Sequence, residues 1–361
     1  LTKDWKTFGE QDPFNNNYVE GLISHHSGDD YGALFIQKVN GDKVPQLIFC
    51  TPKLHYPFDA AGKWSFPKAQ KIERYEKLDG TNVFSYRYVD KAGKEYVSYK
   101  TRLTPFIKQS RFGPFQDMWR EMLKKHPEIA VLPLRMKMNF SYELYGARNP
   151  HLIVYKNVPL DVALLFARQN QTILPPSMFT VSVPIAPMLG NVDKDYVWSY
   201  QQAQEEHGQT LSKLDDDTYE GSEGEVWYLL DALGNYNLFI CKRHEIEQIH
   251  WAAGGLSKNV VIATCQNAFE NWDVPTIENV EQLLLEEFTQ IEVNKAYYSI
   301  VKNLEIVKEQ VKFKEIVLSE YNKLGMSILD QKANVMRALS QKFPREQITR
   351  VFSIVWNQEA Q

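Results

Sequence analysis

Lys77, in the stretch "RYEKLDGTNVFSYRY" (residues 74–88), is a cation on the lip of an Asp-Gly turn that opens onto alternating aromatic residues. A lysine amine can act as a nucleophile, but its ordinary pKa of about 10.4 keeps it protonated unless neighbouring cations, a metal ion or desolvation favour the free base. Three more charged side chains fall at the edges of strand-like stretches downstream. Glu143 stands in "SYELYGARNP", where alternation sets it on the face of Ser141 and Tyr145, opposite Tyr142 and Leu144. Glu223 precedes "GEVWYLL", with Gly224 allowing close backbone approach, and Lys242 ends "LFICK" on the face of Leu238 and Ile240. Two lysines and two carboxylates converging on one cleft would suit a metal-bound polyphosphate, with oxygen donors for a hard cation and ammonium groups for the phosphates.

The elements that must carry these residues read as α+β. "NVFSYRYV" and "EYVSYKTR" form a hairpin around Gly93, "GEVWYLLD" and "YNLFICK" a second, and "GALFIQKV" and "PQLIFC" a third. "FQDMWREMLKKH" (115–126) has helical spacing, and "PLDVALLFARQ" is a second helix candidate. The texture changes at Gly254-Gly255. Beyond it Val280, Leu283, Leu284, Phe288 and Ile291 recur at helical spacing, followed by helical stretches over 294–324, 327–342 and 345–356. The expected organisation is a domain over 1–255 with an extended N-terminal β region, then an all-helical domain over 256–361.

A chain of 361 residues suits about two domains. No apolar run approaches the roughly 20 residues that span a bilayer, and "LTKDWKTFGEQD" has no signal-peptide core, so a cytoplasmic protein with no membrane partner is expected. Cys50, Cys241 and Cys265 have no ligand-like spacing and are expected to be buried thiols. "HEIEQIH" (244–250) separates its histidines by six, so it lacks the one-face spacing of a helical zinc motif. The net charge of −4 conceals an asymmetry. Residues 87–137 hold twelve Lys or Arg, including Lys100, Arg102 and Arg111, against five acids. Tyr96, Tyr99, Phe106, Phe112, Phe115 and Trp119 are interleaved with them, a mixture that reads either as a nucleic-acid track or as a solvated face over core aromatics.

Taken in order, "KLDG", "ELYG", "EGEV" and "CK", with Arg102 between the first two, resemble the covalent nucleotidyltransferase superfamily of ATP-dependent ligases and capping enzymes. "EKLDGTN" (Glu76, Lys77, Asp79, Gly80, Thr81, Asn82) is most similar to the type 2 RNA ligases of phages and kinetoplastid editing complexes. The resemblance implies an ATP-grasp-like ligase core of antiparallel sheets with flanking helices, using ATP and Mg²⁺ or Mn²⁺. It implies Lys77 as the nucleophile that carries AMP, and Glu143 and Glu223 as metal ligands. Lys242 and Arg102 would lie on phosphate, Glu76 near the adenine, Phe166 stacked on it, and Asn82 at the 5′-phosphate. Lys100 and Arg111 would touch nucleic acid, and the partner would be RNA, as a nicked duplex or a cleaved stem-loop. Other readings are a DNA ligase, a GTP-using capping enzyme or a non-catalytic nucleic-acid-binding relative. The chain departs from the pattern at Ile240, where the family carries the first lysine of K-x-K, and Arg243 points to the opposite face of the strand.

Overall fold

The computed structural model describes residues 5–26, 29–58, 63–108, 115–149, 151, 153–193, 195–208, 212–213, 219–242, 256, 258–285, 288 and 290–359. The chain divides into two compact units, Leu1–Lys108 with Gln116–Ser257, and Gln109–Phe115 with Lys258–Gln361.

The first unit is built on three antiparallel sheets. β1 (Trp5–Gln11), β2 (Tyr18–Ser24), β3 (Leu34–Val39) and β4 (Asp42–Ile48) form a meander in that order. Asn40 and Gly41, both at positive φ, close the β3–β4 hairpin in two residues, so the turn is tighter than the sequence implied. Next come β5 (Lys71–Glu76), β6 (Thr81–Val89), β7 (Glu95–Lys100), β8 (Asn139–Tyr145), β9 (Asp161–Gln169), β10 (Thr172–Leu174) and β11 (Met188–Val192). They are followed by a short ladder of β12 (Ser212–Lys213) and β13 (Tyr219–Glu220), then β14 (Gly224–Leu230) and β15 (Tyr236–Lys242). The second sheet has the order β10-β9-β8-β6-β7 and the third β11-β5-β14-β15. The β3–β4, β6–β7 and β14–β15 hairpins are the three read from turn residues.

One apolar core joins the three sheets. It contains Val19, Leu34 and Ile36 from the first, Phe84, Tyr86 and Phe166 from the second, and Tyr75, Tyr228 and Leu238 from the third. The other face of the third sheet packs Ile72, Trp227, Leu229 and Cys241 against Tyr200 and Ala203 of a helix over Tyr196–Gly208. Two earlier helices, Phe115–Lys125 and Glu128–Met136, follow the β6–β7 hairpin; the first matches its apolar spacing. "PLDVALLFARQ" is a strand, β9, and not the expected helix. It lies between β8 and β10 with six of its nine residues buried on both faces, and a strand covered in this way lacks the alternation that distinguishes it from a buried helix.

The second unit is helical, with helices over Lys258–Asn271, Ile277–Leu284, Gln290–Lys295, Tyr297–Asn322, Ile328–Ser340 and Ile348–Glu359. Thr276 and Asn279 form a reciprocal cap at the second of these, and Ser327 caps the fifth. Val280, Leu283 and Leu284 are buried as their spacing required. No described helix is long and apolar enough to cross a membrane. All three cysteines are buried free thiols.

The third sheet is cross-braced by a buried ion pair. Arg74 of β5 reaches Glu225 of β14 through Nε at 2.7 Å and an Nη at 2.6 Å, and Trp227 Nε1 donates to the same carboxylate at 2.8 Å. Glu225 has no exposure, so water cannot take the place of the Arg74 cation when it is removed. Arg74→Met should therefore lose about 3–5 kcal/mol in denaturant titration, and the double variant R74M/E225Q should lose less than the two single losses combined.

Candidate active site

The four residues Lys77–Gly80 carry the chain from the third sheet into the second. Each is fixed through its backbone or by its packing. Glu76 N donates to Pro187 O and Lys77 N to Gly224 O, both at 2.8 Å, so strand pairing runs one residue past β5. Leu78 is buried in the common core. Asp79 N donates to Tyr155 Oη at 2.8 Å, while its Oδ2 accepts from Ile153 N at 2.6 Å. A Cβ at Gly80 would press into the Leu144 carbonyl oxygen, so only glycine lets β6 begin this close to β8.

This link delivers the Lys77 ammonium into an ion pair with Glu223, the residue just before β14; both side chains are largely buried. Glu143 lies opposite Asn82 in the β6–β8 ladder. Its carboxyl is pushed up to about 8. Burial is the main cause, the charges of Asp79 and Glu223 add to it, and Lys77 and a hydrogen bond from Asn82 act the other way. Lys77, Asp79, Glu143 and Glu223 thus form one electrostatic cluster. Tyr155 belongs to it as well. Burial raises its phenol, and the charges of Asp79, Glu76 and Glu223 raise it further. Its ring meets Tyr145 edge-on at 5.1 Å between centroids. Neither spacing nor composition marked Tyr155, because it sits in a connection between strands and reaches the site only through the fold.

Lys242 stands opposite Gly224 in the β14–β15 register, and the Gly224 carbonyl also receives Lys77 N. The backbone positions of Lys77 and Lys242 therefore flank the same residue; the Lys242 side chain lies outside the described part. Ile240 is buried, its N donating to His55 O and its O accepting from Tyr200 Oη, each at 2.9 Å. An enclosed aliphatic side chain thus stands where the resembled motif has its first lysine.

Several expectations change. Phe166 is buried within the common core, so neither ring face is open to a nucleobase. Lys100 has no exposure at all. Its Nζ donates to the carbonyls of Gly32, Thr101 and Arg102 at 2.8–2.9 Å and faces Cys50 Sγ at 3.2 Å, so it is no surface contact for nucleic acid. Arg102 lies past β7 with its guanidinium over the Tyr31 ring at 5.7 Å. Arg111 and residues 243–250 fall outside the described residues. Much of the basic stretch is occupied internally. Arg87 and Lys137 pair with Glu95, Lys91 with Asp42, Lys108 with Glu10, Lys125 with Asp161 and Arg135 with Glu128. Tyr99, Phe106 and Trp119 are core residues.

A divalent cation fits the donor set as a partial shell. Glu143 and Glu223 would supply carboxylate oxygens, and such a cation would offset the burial that chiefly raises Glu143 and the charges of Asp79 and Glu223 that add to it. No group of three or more His, Cys, Asp or Glu among the described residues is arranged to hold a metal alone. The set therefore suits Mg²⁺, which keeps waters and takes phosphate oxygens, better than an all-protein cage.

No family model and no curated protein matches the chain. Among solved structures it is similar to an archaeal ATP-dependent RNA ligase, at 14% identity over 84% of this chain and 76% of that one, with a TM-score of 0.46. It is also similar to a putative ATP-dependent DNA ligase from Aquifex aeolicus, at 13% identity over 94% and 85%, with a TM-score of 0.42. A mutant RNA ligase of Naegleria gruberi, solved with ATP and Mn, shares 17% identity over 51% and 53%, with a TM-score of 0.36.

Glu143 gives the site a pH signature. A carboxyl raised from 4.5 to about 8 on folding binds its proton more tightly in the native chain. Its stability contribution is complete below pH 4.5 and is lost as pH rises through 8. In thermal melts without nucleotide or metal, the advantage of Glu143→Gln over wild type should grow from pH 4.5 to about 8 and stay level above.

Proposed function

We propose that this chain is an ATP-dependent RNA ligase that seals a 5′-phosphate to a 3′-hydroxyl. The observation that carries the reading is Lys77, held by a rigid link between two sheets against Glu223 and beside the buried Glu143. The ordered sequence motifs supply the reaction class.

In the first step Lys77 Nζ attacks the α-phosphorus of ATP. The bond to pyrophosphate breaks and AMP remains on the lysine as a phosphoramidate. In the resting chain the ammonium is hydrogen-bonded to Glu223, so the amine becomes nucleophilic only when that proton leaves, and the Glu223 carboxylate is in contact to receive it. Glu143 and Glu223 would hold Mg²⁺, which when bound neutralises phosphate charge. The backbone hydrogen bonds of Glu76 and Lys77 fix the nucleophile's origin, so little reorganisation is needed at the moment of attack. Lys242, whose backbone stands opposite Gly224, would supply the phosphate-neutralising cation that the motifs imply. AMP then passes to the RNA 5′-phosphate, and the 3′-hydroxyl displaces it to form the phosphodiester.

The enclosed Ile240 favours one other reading, a non-catalytic relative that binds nucleic acid. Incubation with Mg²⁺ and ATP radiolabelled on the α-phosphate, without nucleic acid, separates the two. Wild type should acquire covalent label, Lys77→Ala none, and Glu223→Ala should label about 10²-fold more slowly through loss of electrostatic positioning. Equal labelling of Lys77→Ala, or an unlabelled wild type, removes the ligase reading. Labelling by GTP in place of ATP would indicate a capping enzyme, and joining of nicked DNA in preference to RNA would indicate a DNA ligase.

A further inference from the structure

Beneath the Lys77 site lies a closed ring of three hydrogen bonds that no motif announced. Thr51, buried in the segment after β4, has its Oγ1 at 2.7 Å from Asn82 Oδ1 and 3.0 Å from Ser141 Oγ. Asn82 Nδ2 donates to Ser141 Oγ at 2.9 Å. An amide oxygen can only accept, so the Thr51 hydroxyl proton points to Asn82. Thr51 has no second proton, so the Ser141 hydroxyl must donate to Thr51. Each member donates once and accepts once around the ring.

We infer that Thr51 is a positioning residue for the Lys77 site, acting through Asn82. The Tyr142 carbonyl fixes the direction of the Asn82 amide, and Thr51 anchors its oxygen. Its oxygen is taken by Thr51, and its nitrogen faces Ser141 Oγ, the Tyr142 carbonyl at 3.1 Å, and Glu143 across the β6–β8 ladder. Reversing the amide would set its oxygen against the Tyr142 carbonyl, an acceptor facing an acceptor. The amide that stands opposite Glu143 is thereby anchored by a residue 26 positions before the nucleophile, in a segment that carries none of the sequence motifs. The consequence for activity rests on the reading of Lys77 as the adenylylated nucleophile, whereas the amide orientation does not.

Two measurements test this. Side-chain amide hydrogen exchange at Asn82 should be slow in wild type and fast in Thr51→Val, which fills nearly the same volume without the hydroxyl. Equal protection in T51V overturns the inference whether or not the protein is a ligase. In the α-phosphate labelling assay T51V should slow adenylylation about 10- to 100-fold, the usual effect of losing a residue that orients a ligand from behind. The loss should fall in kcat with little change in KM for ATP, and Thr51→Ser should restore most of the rate. The double variant T51V/N82A should be no slower than N82A; losses that multiply would mean Thr51 acts independently and would overturn the inference. If T51V fails to fold, Ser141→Ala opens the same ring from its other side and should reproduce both the exchange and the rate effect. An unlabelled wild type with protected Asn82 would sink the ligase reading while leaving the amide orientation standing.

Discussion

Three carboxylates and one ammonium share a space from which water is mostly excluded, and the first unit is organised around keeping that arrangement tolerable. Lys77 offsets Glu223 directly and Glu143 at longer range, while Asp79 is spent on the Ile153 backbone amide. The raised Glu143 carboxyl reflects its burial first, with the charges of Asp79 and Glu223 adding to it. Buried charge of this kind is costly unless every partner is held in place. The rigidity of the Lys77–Gly80 link is the consequence: an ammonium free to swing away would lose the Glu223 ion pair and the charge that draws the Glu143 carboxyl down.

The outer parts of the unit serve that rigidity. The Arg74–Glu225 brace shares Glu225 with the Glu76–Glu225 register pair, so it stiffens the strands that deliver Lys77 and Glu223. The aromatic layer of Trp227, Tyr200 and Phe66 covers the sheet's far face. The N-terminal meander contributes Val19, Leu34 and Ile36 to the common core, and the segment after it contributes Thr51 to the ring below Glu143. What reads in the sequence as a long extension before the first motif is thus part of the scaffold of the site.

The hairpins and the C-terminal helices were legible because their signals are local: glycine at positive φ in turns, apolar spacing, and caps at Thr276 and Ser327. Phe166 and Lys100 were misplaced for one shared reason. Residue type states what a side chain is able to do, but exposure states whether it can do it, and burial in β9 or against a ring of carbonyls is a property of neighbours distant in sequence. The basic stretch from Arg87 to Lys137 shows the same dependence on distant neighbours. Its cations are matched by acids such as Glu10, Asp42 and Asp161, which lie outside the counted window.

By itself the sequence determined the chemistry on offer, with a lysine before an Asp-Gly turn, glutamates on or beside strands, a lysine at a strand end, and the α+β elements that carry them. These follow from residue type and short-range backbone preference, which a linear chain encodes directly. Only the tertiary structure decided which charges meet, that Glu143 is buried and raised, that Tyr155 and Thr51 belong beside them, and that Lys100 and Phe166 do not. Those outcomes depend on pairings between residues up to about 150 positions apart, such as Lys77 with Glu223. A contact of that kind exists only once the sheets have closed around it.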